Sequence, residues 1–219
     1  MVEGVIEVLF GDPFAVMNAI GLVAFAFVGA SKAIREEFDL FGITIVGLMM
    51  AFAGGATRDL LVTRVPLALQ SPIEIYLGLL GVGLAVVFSV IFSTPDTHPV
   101  TLVSDALGLA AFTTTGAIVA TEASVSTFGV LAIATINAVG GGAVADILLN
   151  RSPFVLFDDF YASCTVLGGI AYCLTSGVGV AGSTAVAACA GVTLLSRLAA
   201  VSYDWRVPTV QALFRQDTE

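Results

Sequence analysis

The chain has 219 residues, 58% of them apolar and only 11% charged, with a mean hydropathy of +1.01 and a formal net charge of −9. A soluble protein of this length has no interior large enough to hide that much apolar surface, so lipid must solvate most of it. The same figures exclude a nucleic-acid binder, because no basic patch exists anywhere in the chain.

In chain order, the first dozen residues set Glu3, Glu7 and Asp12 among valine, isoleucine and leucine. They lack the basic start and small-residue cleavage site of a signal peptide. Seven apolar spans follow, near 13–31, 40–63, 72–93, 100–121, 125–149, 158–177 and 180–201. At 1.5 Å rise per residue, about 19–25 residues cross a hydrocarbon core of about 30 Å. The alternation of a membrane barrel is missing, so the spans are predicted as helices. Connections such as Ser93 to Pro99 are too short for a soluble domain, so 1–219 is expected to form a single membrane domain with a polar tail at 202–219. With the N-terminus outside, Lys32, Arg35, Arg151, Arg197, Arg206 and Arg215 fall inside, and only Arg58 and Arg64 lie toward the outside. The balance orients the chain N-out and C-in.

The chain is also a duplication. The stretch 53–66 recurs 87 positions later as 140–153, and the match runs back without a gap to Asn18 and Asp105, with about 18 of 49 positions identical. Gly21 falls on Gly108, Phe25 on Phe112 and Gly29 on Gly116. Each copy (about 13–93 and about 100–177) holds three spans, an odd number, so the second copy must enter the membrane from the opposite side. The predicted architecture is all-α, with two inverted three-helix repeats and a seventh helix near 180–201.

The second span of each copy carries the unusual chemistry. Gly54 and Gly55 in one copy, and Gly140, Gly141 and Gly142 in the other, cost about 1 kcal/mol each against alanine in a helix interior. They either let helices pack closely or allow a water-lined kink that also packs. Asp59 and Asp146 stand beyond them at equivalent positions, where a carboxylate needs water, a partner or a headgroup. Capping of the aspartates by Arg58 or by helix N-termini is the structural alternative. Arg58 precedes Asp59 by one residue and is expected to point elsewhere on the helix. Arg64 and Arg151 can snorkel as interfacial anchors, and Pro66 and Pro153 end both helices. Asn18 and Asp105, also equivalent, sit near the starts of their spans as candidate pore mouths, and Asn137 is a further lining candidate one turn before Gly141.

These residues resemble the trimeric intracellular cation channels (TRIC) and their prokaryotic relatives. Residues 53–59 with Arg64-Val65-Pro66, and 140–146 with Arg151-Ser152-Pro153, look like that family's doubled glycine-rich Arg-Asp signature followed by Arg-x-Pro. The resemblance covers most of the chain. It implies a homotrimer in which each subunit has its own pore for monovalent cations, chiefly potassium. It also implies that Gly54, Gly55, Gly140, Gly141 and Gly142 are bends, and that Arg58, Asp59 and Asp146 are the charged lining or gate. No cofactor or metal is expected beyond permeating potassium or sodium ions and a bound lipid. The chain departs from the pattern at Ala53, in place of the first glycine, and at Ala145, where the second copy often has arginine.

A secondary transporter shares inverted repeats, broken helices and intramembrane carboxylates, and is the closest rival. A retinal protein fails, because Lys32 is the only lysine and lies at a helix end. An enzyme is not expected: His98 is a lone histidine in a turn, and Cys164, Cys173 and Cys189 lack metal-ligand spacing. The glycine runs match neither a Walker loop nor a dinucleotide fingerprint. The excess of 17 acidic over 8 basic residues fits a prokaryotic plasma-membrane protein from a salt-rich setting, or acidic loops that draw cations to pore mouths.

Overall fold

The computed structural model describes residues 12–92, 99–156, 160–179 and 181–205. The expectations for the first eleven residues, for His98, for Asp158 and Asp159 and for the tail beyond 205, including Arg206 and Arg215, lie outside the described residues. The described elements are α1 (Pro13–Arg35), α2 (Leu40–Leu61), a single turn α3 (Leu67–Gln70), α4 (Pro72–Phe92), α5 (Pro99–Glu122), α6 (Thr127–Leu148), α7 (Tyr161–Gly177) and α8 (Gly182–Ser202), with a 3₁₀ turn at Phe154–Leu156. No strand occurs among the described residues. Six helices are long and apolar enough to cross a membrane, which makes this an all-helical membrane protein. With 17 residues, α7 falls short of the other six.

The helix ends follow from their sequences. Pro13 occupies the first turn of α1, where its missing N–H is no loss, and the Asp12 carboxylate accepts from Phe14 N at 2.9 Å. Asp39 caps α2 by accepting from Gly42 N at 2.7 Å, and Ser126 caps α6 by accepting from Gly129 N at 3.2 Å. The chain leaves α1 through Glu37 and α5 through Ser124, both left-handed, with φ of 58° and 56°. It leaves α2 through Thr63 and α6 through Asn150, again left-handed, with φ of 57° and 54°. Each of these pairs is separated by the repeat offset, so the duplication extends to backbone conformation.

The core lies where the two copies meet, along α1, α2, α5 and α6. Phe25 and Phe112 pack edge to face with centroids 5.1 Å apart, and each ring covers the other helix's glycine, Gly108 or Gly21. A Cβ on either glycine would overlap the ring above it. The contacts are reciprocal, residue for residue, between the copies. α4 packs on α1 and α2, α7 on α6 and α5, and α8 on α7 and α5.

Polarity is arranged for lipid. The large exposed side chains are apolar, such as Leu40 and Phe41 on α2 and Leu80 and Val90 on α4, while Asn18, Arg58, Asp59, Glu74, Asn137 and Asp146 are buried. Thr113 and Thr114 on α5 are fully buried, and their hydroxyls donate back to the carbonyls of Leu109 and Ala110 at 2.7 and 2.8 Å.

Candidate functional site

α2 and α6 cross at their glycines. A Cβ at Gly54 would overlap the carbonyl of Asn137, and a Cβ at Gly141 would overlap the carbonyl of Met50, the residue equivalent to Asn137. Both helices run as continuous α-helix through this region. Close packing is therefore the first role of Gly54 and Gly141, because the backbones touch where any side chain would stand. Gly140 lies against the Gly54 backbone, with its Cβ position 3.4 Å from Gly54 Cα. Gly142 differs: a Cβ there meets nothing within 4 Å. Gly55 is also roomy, its nearest neighbours being Arg58 Nη2 at 3.8 Å and Asn137 Oδ1 at 3.9 Å.

Beyond the crossing, each aspartate ties down its own exit loop. Asp59 Oδ2 accepts from Leu67 N and Asp146 Oδ2 from Phe154 N, both at 2.9 Å. The amides of Arg64 and Arg151 donate to the Asp59 and Asp146 carbonyls, both at 2.8 Å. One carboxylate oxygen of each aspartate is thus used to fold the chain back after its helix ends. The other oxygen meets a cation, and here the copies diverge.

In the first copy the cation is Arg58, whose Nε and Nη2 lie 2.8 and 2.7 Å from Asp59 Oδ1. The expectation that Arg58 would be a poor partner for its neighbour is overturned. α2 ends at Leu61, so no further turn crowds the side chain, and the long arginine curls around the helix end beneath Phe14, with Cζ 5.5 Å from the ring centre. In the second copy Ala145 stands where Arg58 would be, and Lys32 of α1 reaches across to Asp146, with Nζ 2.8 Å from Oδ1. The equivalent outer residues pair as well: Asn18 donates to Glu74 at 2.8 Å, and Tyr161 donates to Asp105 at 3.0 Å.

The two sites also differ in space. Asn18, Gly55, Arg58, Asp59 and Glu74 surround a void of about 20 Å³ in the first copy. Asp105, Gly142, Asp146 and Arg151 line a cavity of about 520 Å³ in the second, together with Lys32 and Arg197. The expected site residues therefore fall into two clusters, and the α2–α6 crossing lies between them. Arg64 and Arg151 sit at the exposed ends, paired with Glu122 at 3.2 Å and with Glu36, respectively. Asn137 is fully buried; its Nδ2 donates to the Phe112 carbonyl at 2.5 Å and to Thr115 Oγ1 at 3.0 Å. Among the described residues its Oδ1 has no partner, nor does Arg58 Nη1.

Sequence reasoning assigned no site role to Lys32, Glu74, Tyr161 or Arg197. Two signals pointed to the cations. Ala145 leaves Asp146 without the arginine that Asp59 has, and Arg197 is the one basic residue inside the apolar stretch 182–202. Glu74 and Tyr161 differ in type at equivalent positions, so the repeat alone did not mark them.

Comparison with known proteins agrees with the geometry. A family model described as "Glycine transporter" matches residues 15–90 and again 102–177, the same 87-residue offset. The chain is 32% identical to the UPF0126 membrane protein YvgT of Bacillus subtilis, over 88% of this chain and 94% of that protein. It is 35% identical to a UPF0126 membrane protein of Deinococcus radiodurans, over 69% and 71%. A solved structure described as "Structural basis for conductance through TRIC cation channels" superposes with a TM-score of 0.82 at 34% identity, covering 90% of this chain and 96% of that one. The TRIC trimeric intracellular cation channel orthologue from Rhodobacter sphaeroides superposes with a TM-score of 0.79 at 28% identity, over 87% and 98%. With both halves matched, the chain belongs to the membrane-protein family described as glycine transporters, and it has the fold of the TRIC cation channels.

Proposed function

We propose that this chain is a cation channel of a prokaryotic cell membrane, working as a homotrimer with one pore in each subunit. The observation that carries this reading is its likeness, over nine-tenths of its length, to a solved TRIC cation channel. A trimer is proposed because the Rhodobacter sphaeroides neighbour is described as trimeric. In this reading 1–219 is one membrane domain, and α7 completes seven spans. The copies are inverted repeats, N-terminus outside, and the reciprocal α2–α6 contacts support that arrangement.

The pore runs between the two charged clusters and narrows at the α2–α6 crossing. Gly55 and Gly142 leave room beside the path, and Gly54, Gly140 and Gly141 let the helices bend and meet. Asn137 Oδ1 offers an uncommitted carbonyl oxygen at the constriction. Arg58, Asp59 and Asp146 set the local field, with Asn18 and Asp105 toward the mouths and Arg64 and Arg151 anchoring the ends at the interface. Potassium is the proposed permeant ion, with sodium following, and lipid fills the outer apolar surface. An enzymatic role has no support, since the structural neighbours are described as channels.

A secondary transporter remains the second reading, favoured by the description of the matching family model. Purified protein in a planar bilayer under a potassium gradient separates the two. Ohmic single-channel steps that reverse near the potassium equilibrium potential are expected. Saturating flux coupled to a proton or sodium gradient, with no resolvable steps, would overturn the channel and favour the transporter.

A further inference from the structure

The two copies differ in how their charges balance. Asn18 pairs with Glu74 in the first copy, and their equivalents, Asp105 and Tyr161, pair in the second. Each copy thus joins one carboxylate to one neutral partner, with the acid moved from the copy's third helix to its first. Glu74 shares its site with Asp59, and among the described residues around that void only Arg58 is a cation. The first-copy site therefore holds one more carboxylate than cation. In the second copy Lys32 meets Asp146 and Arg197 meets Asp105, so each aspartate has its own cation. Arg151 and Asp204 complete a lining of three cations and three acids.

Arg197 makes that balance, and it comes from outside the repeat. It lies on α8, which has no counterpart in either copy, and its side chain is 8% exposed. Its guanidinium lies 4.6 Å from the Tyr161 ring centre and 5.6 Å from that of Phe154, and both rings attract the cation. Nη2 is 3.7 Å from Asp105 Oδ2, an ion pair longer than a hydrogen bond. Tyr161 donates to the other Asp105 oxygen at 3.0 Å. The rings, rather than a hydrogen bond, thus fix the guanidinium on the lining of the cavity. That cavity holds about 520 Å³, and apolar walls such as Val28 and Val139 focus the field of a lining charge into it.

We propose that Arg197 is a tethered counter-charge that sets how strongly this cavity, as a vestibule, gathers cations. With Arg197 in place, the vestibule lining is neutral and does not concentrate cations. Without it, Asp105 stands uncompensated, and the vestibule takes the same sign as the first-copy site. The two charged ends of the chain are therefore electrically unequal, although their motifs are equivalent. The inference rests on the channel reading for its meaning in conduction, where the vestibule feeds the α2–α6 crossing. The potential in the vestibule belongs to the folded chain and is measured without any current.

Charged thiol reagents measure it. Cys164, Cys173 and Cys189 are replaced by alanine, and Gly142→Cys supplies the reporter. That position lines the cavity, and a Cβ there meets nothing within 4 Å. The full chain in detergent is modified with a cationic trimethylammonium methanethiosulfonate and with an anionic sulfonate one. The ratio of the two rates reads the potential at the thiol. At low salt Arg197→Gln should raise the cationic-to-anionic ratio at least about threefold, and about 1 M potassium chloride should erase most of the rise. Arg197→Lys keeps the charge and should keep the parent ratio. Asp105→Asn leaves Arg197 uncompensated and should move the ratio the opposite way, which decides the matter if Arg197→Gln misfolds. An unchanged ratio in Arg197→Gln, or a rise that survives molar salt, overturns the proposal, because the arginine then acts by packing alone. So does protection of the Gly142→Cys thiol from both reagents, since the vestibule would then be closed to ions. A silent bilayer recording leaves these rates unaffected, so the channel reading and this one fail separately.

Discussion

At the scale of single residues, the chain solves one problem twice with different atoms. A carboxylate in the hydrocarbon zone costs about 2.5–3.5 kcal/mol on insertion scales unless it is paired. Asp59 takes its cation from the neighbouring position, and Asp146 takes one from another helix, Lys32. The Lys32 side chain is 19% exposed against 5% for Asp146, so water screens the pair in part. Lys32→Met should therefore lower stability by about 1–3 kcal/mol, less than a fully buried pair would lose. Chemical unfolding in detergent measures this, and Asp146→Asn added to Lys32→Met should return part of the loss. A Lys32→Met protein as stable as the parent would mean that Asp146 does not depend on the lysine. In the first copy Arg58→Met should cost more than Lys32→Met, because the Arg58–Asp59 pair is more deeply buried, with side chains 3% and 6% exposed.

At the scale of elements, adjacent glycines have opposite jobs. Gly141 lies where α6 touches the α2 backbone, and Gly142, one residue later, faces open space. Gly141→Ala forces a methyl against the Met50 carbonyl, and the helices must separate, costing about 1–3 kcal/mol or more. Gly142→Ala meets nothing and should gain about 1 kcal/mol of helix stability. In the proposed pore the same methyl narrows the path, so Gly142→Ala should conduct less while melting higher. Thermal unfolding and single-channel current on both variants check the contrast. Equal melting temperatures for the two would sink the assignment of Gly141 to the crossing. Gly54→Ala is expected to follow Gly141→Ala, since the two contacts are reciprocal.

At the scale of the whole molecule, the net charge of −9 meets little aqueous surface. Some of that charge is already used. Asp12 and Asp39 cap helix N-termini, and Glu36 and Glu122 pair with Arg151 and Arg64. The remaining self-repulsion is screened within a Debye length of about 3 Å at 1 M salt and about 10 Å at 0.1 M. The detergent-solubilised protein should therefore lose thermal stability as potassium chloride falls from molar to about 0.1 M. A melting temperature flat across that range would leave cation attraction at the pore mouths as the reason for the acidity.

The sequence by itself determined the membrane class, the helices and the duplication, because each depends on local or one-dimensional information. Hydropathy set the spans, and the offset from Gly54 to Gly141 was countable. The expected stops at Pro66 and Pro153 fell late: the helices end at Leu61 and Leu148, where the chain turns through left-handed Thr63 and Asn150. The sequence also flagged Ala145, one of the positions at which the two sites differ. Only the tertiary structure decided what that substitution does. Lys32 reaches Asp146 from 114 positions away, and Arg197 joins the same cavity from a helix outside the repeat. Such meetings depend on how helices cross, and composition and spacing along the chain carry no record of crossing. The Arg58–Asp59 pair was missed for a related reason: helical spacing sets where side chains start, but a long arginine at a helix end is free to turn back. Two equivalent motifs thus fold into one filled site and one open cavity, a difference fixed by packing.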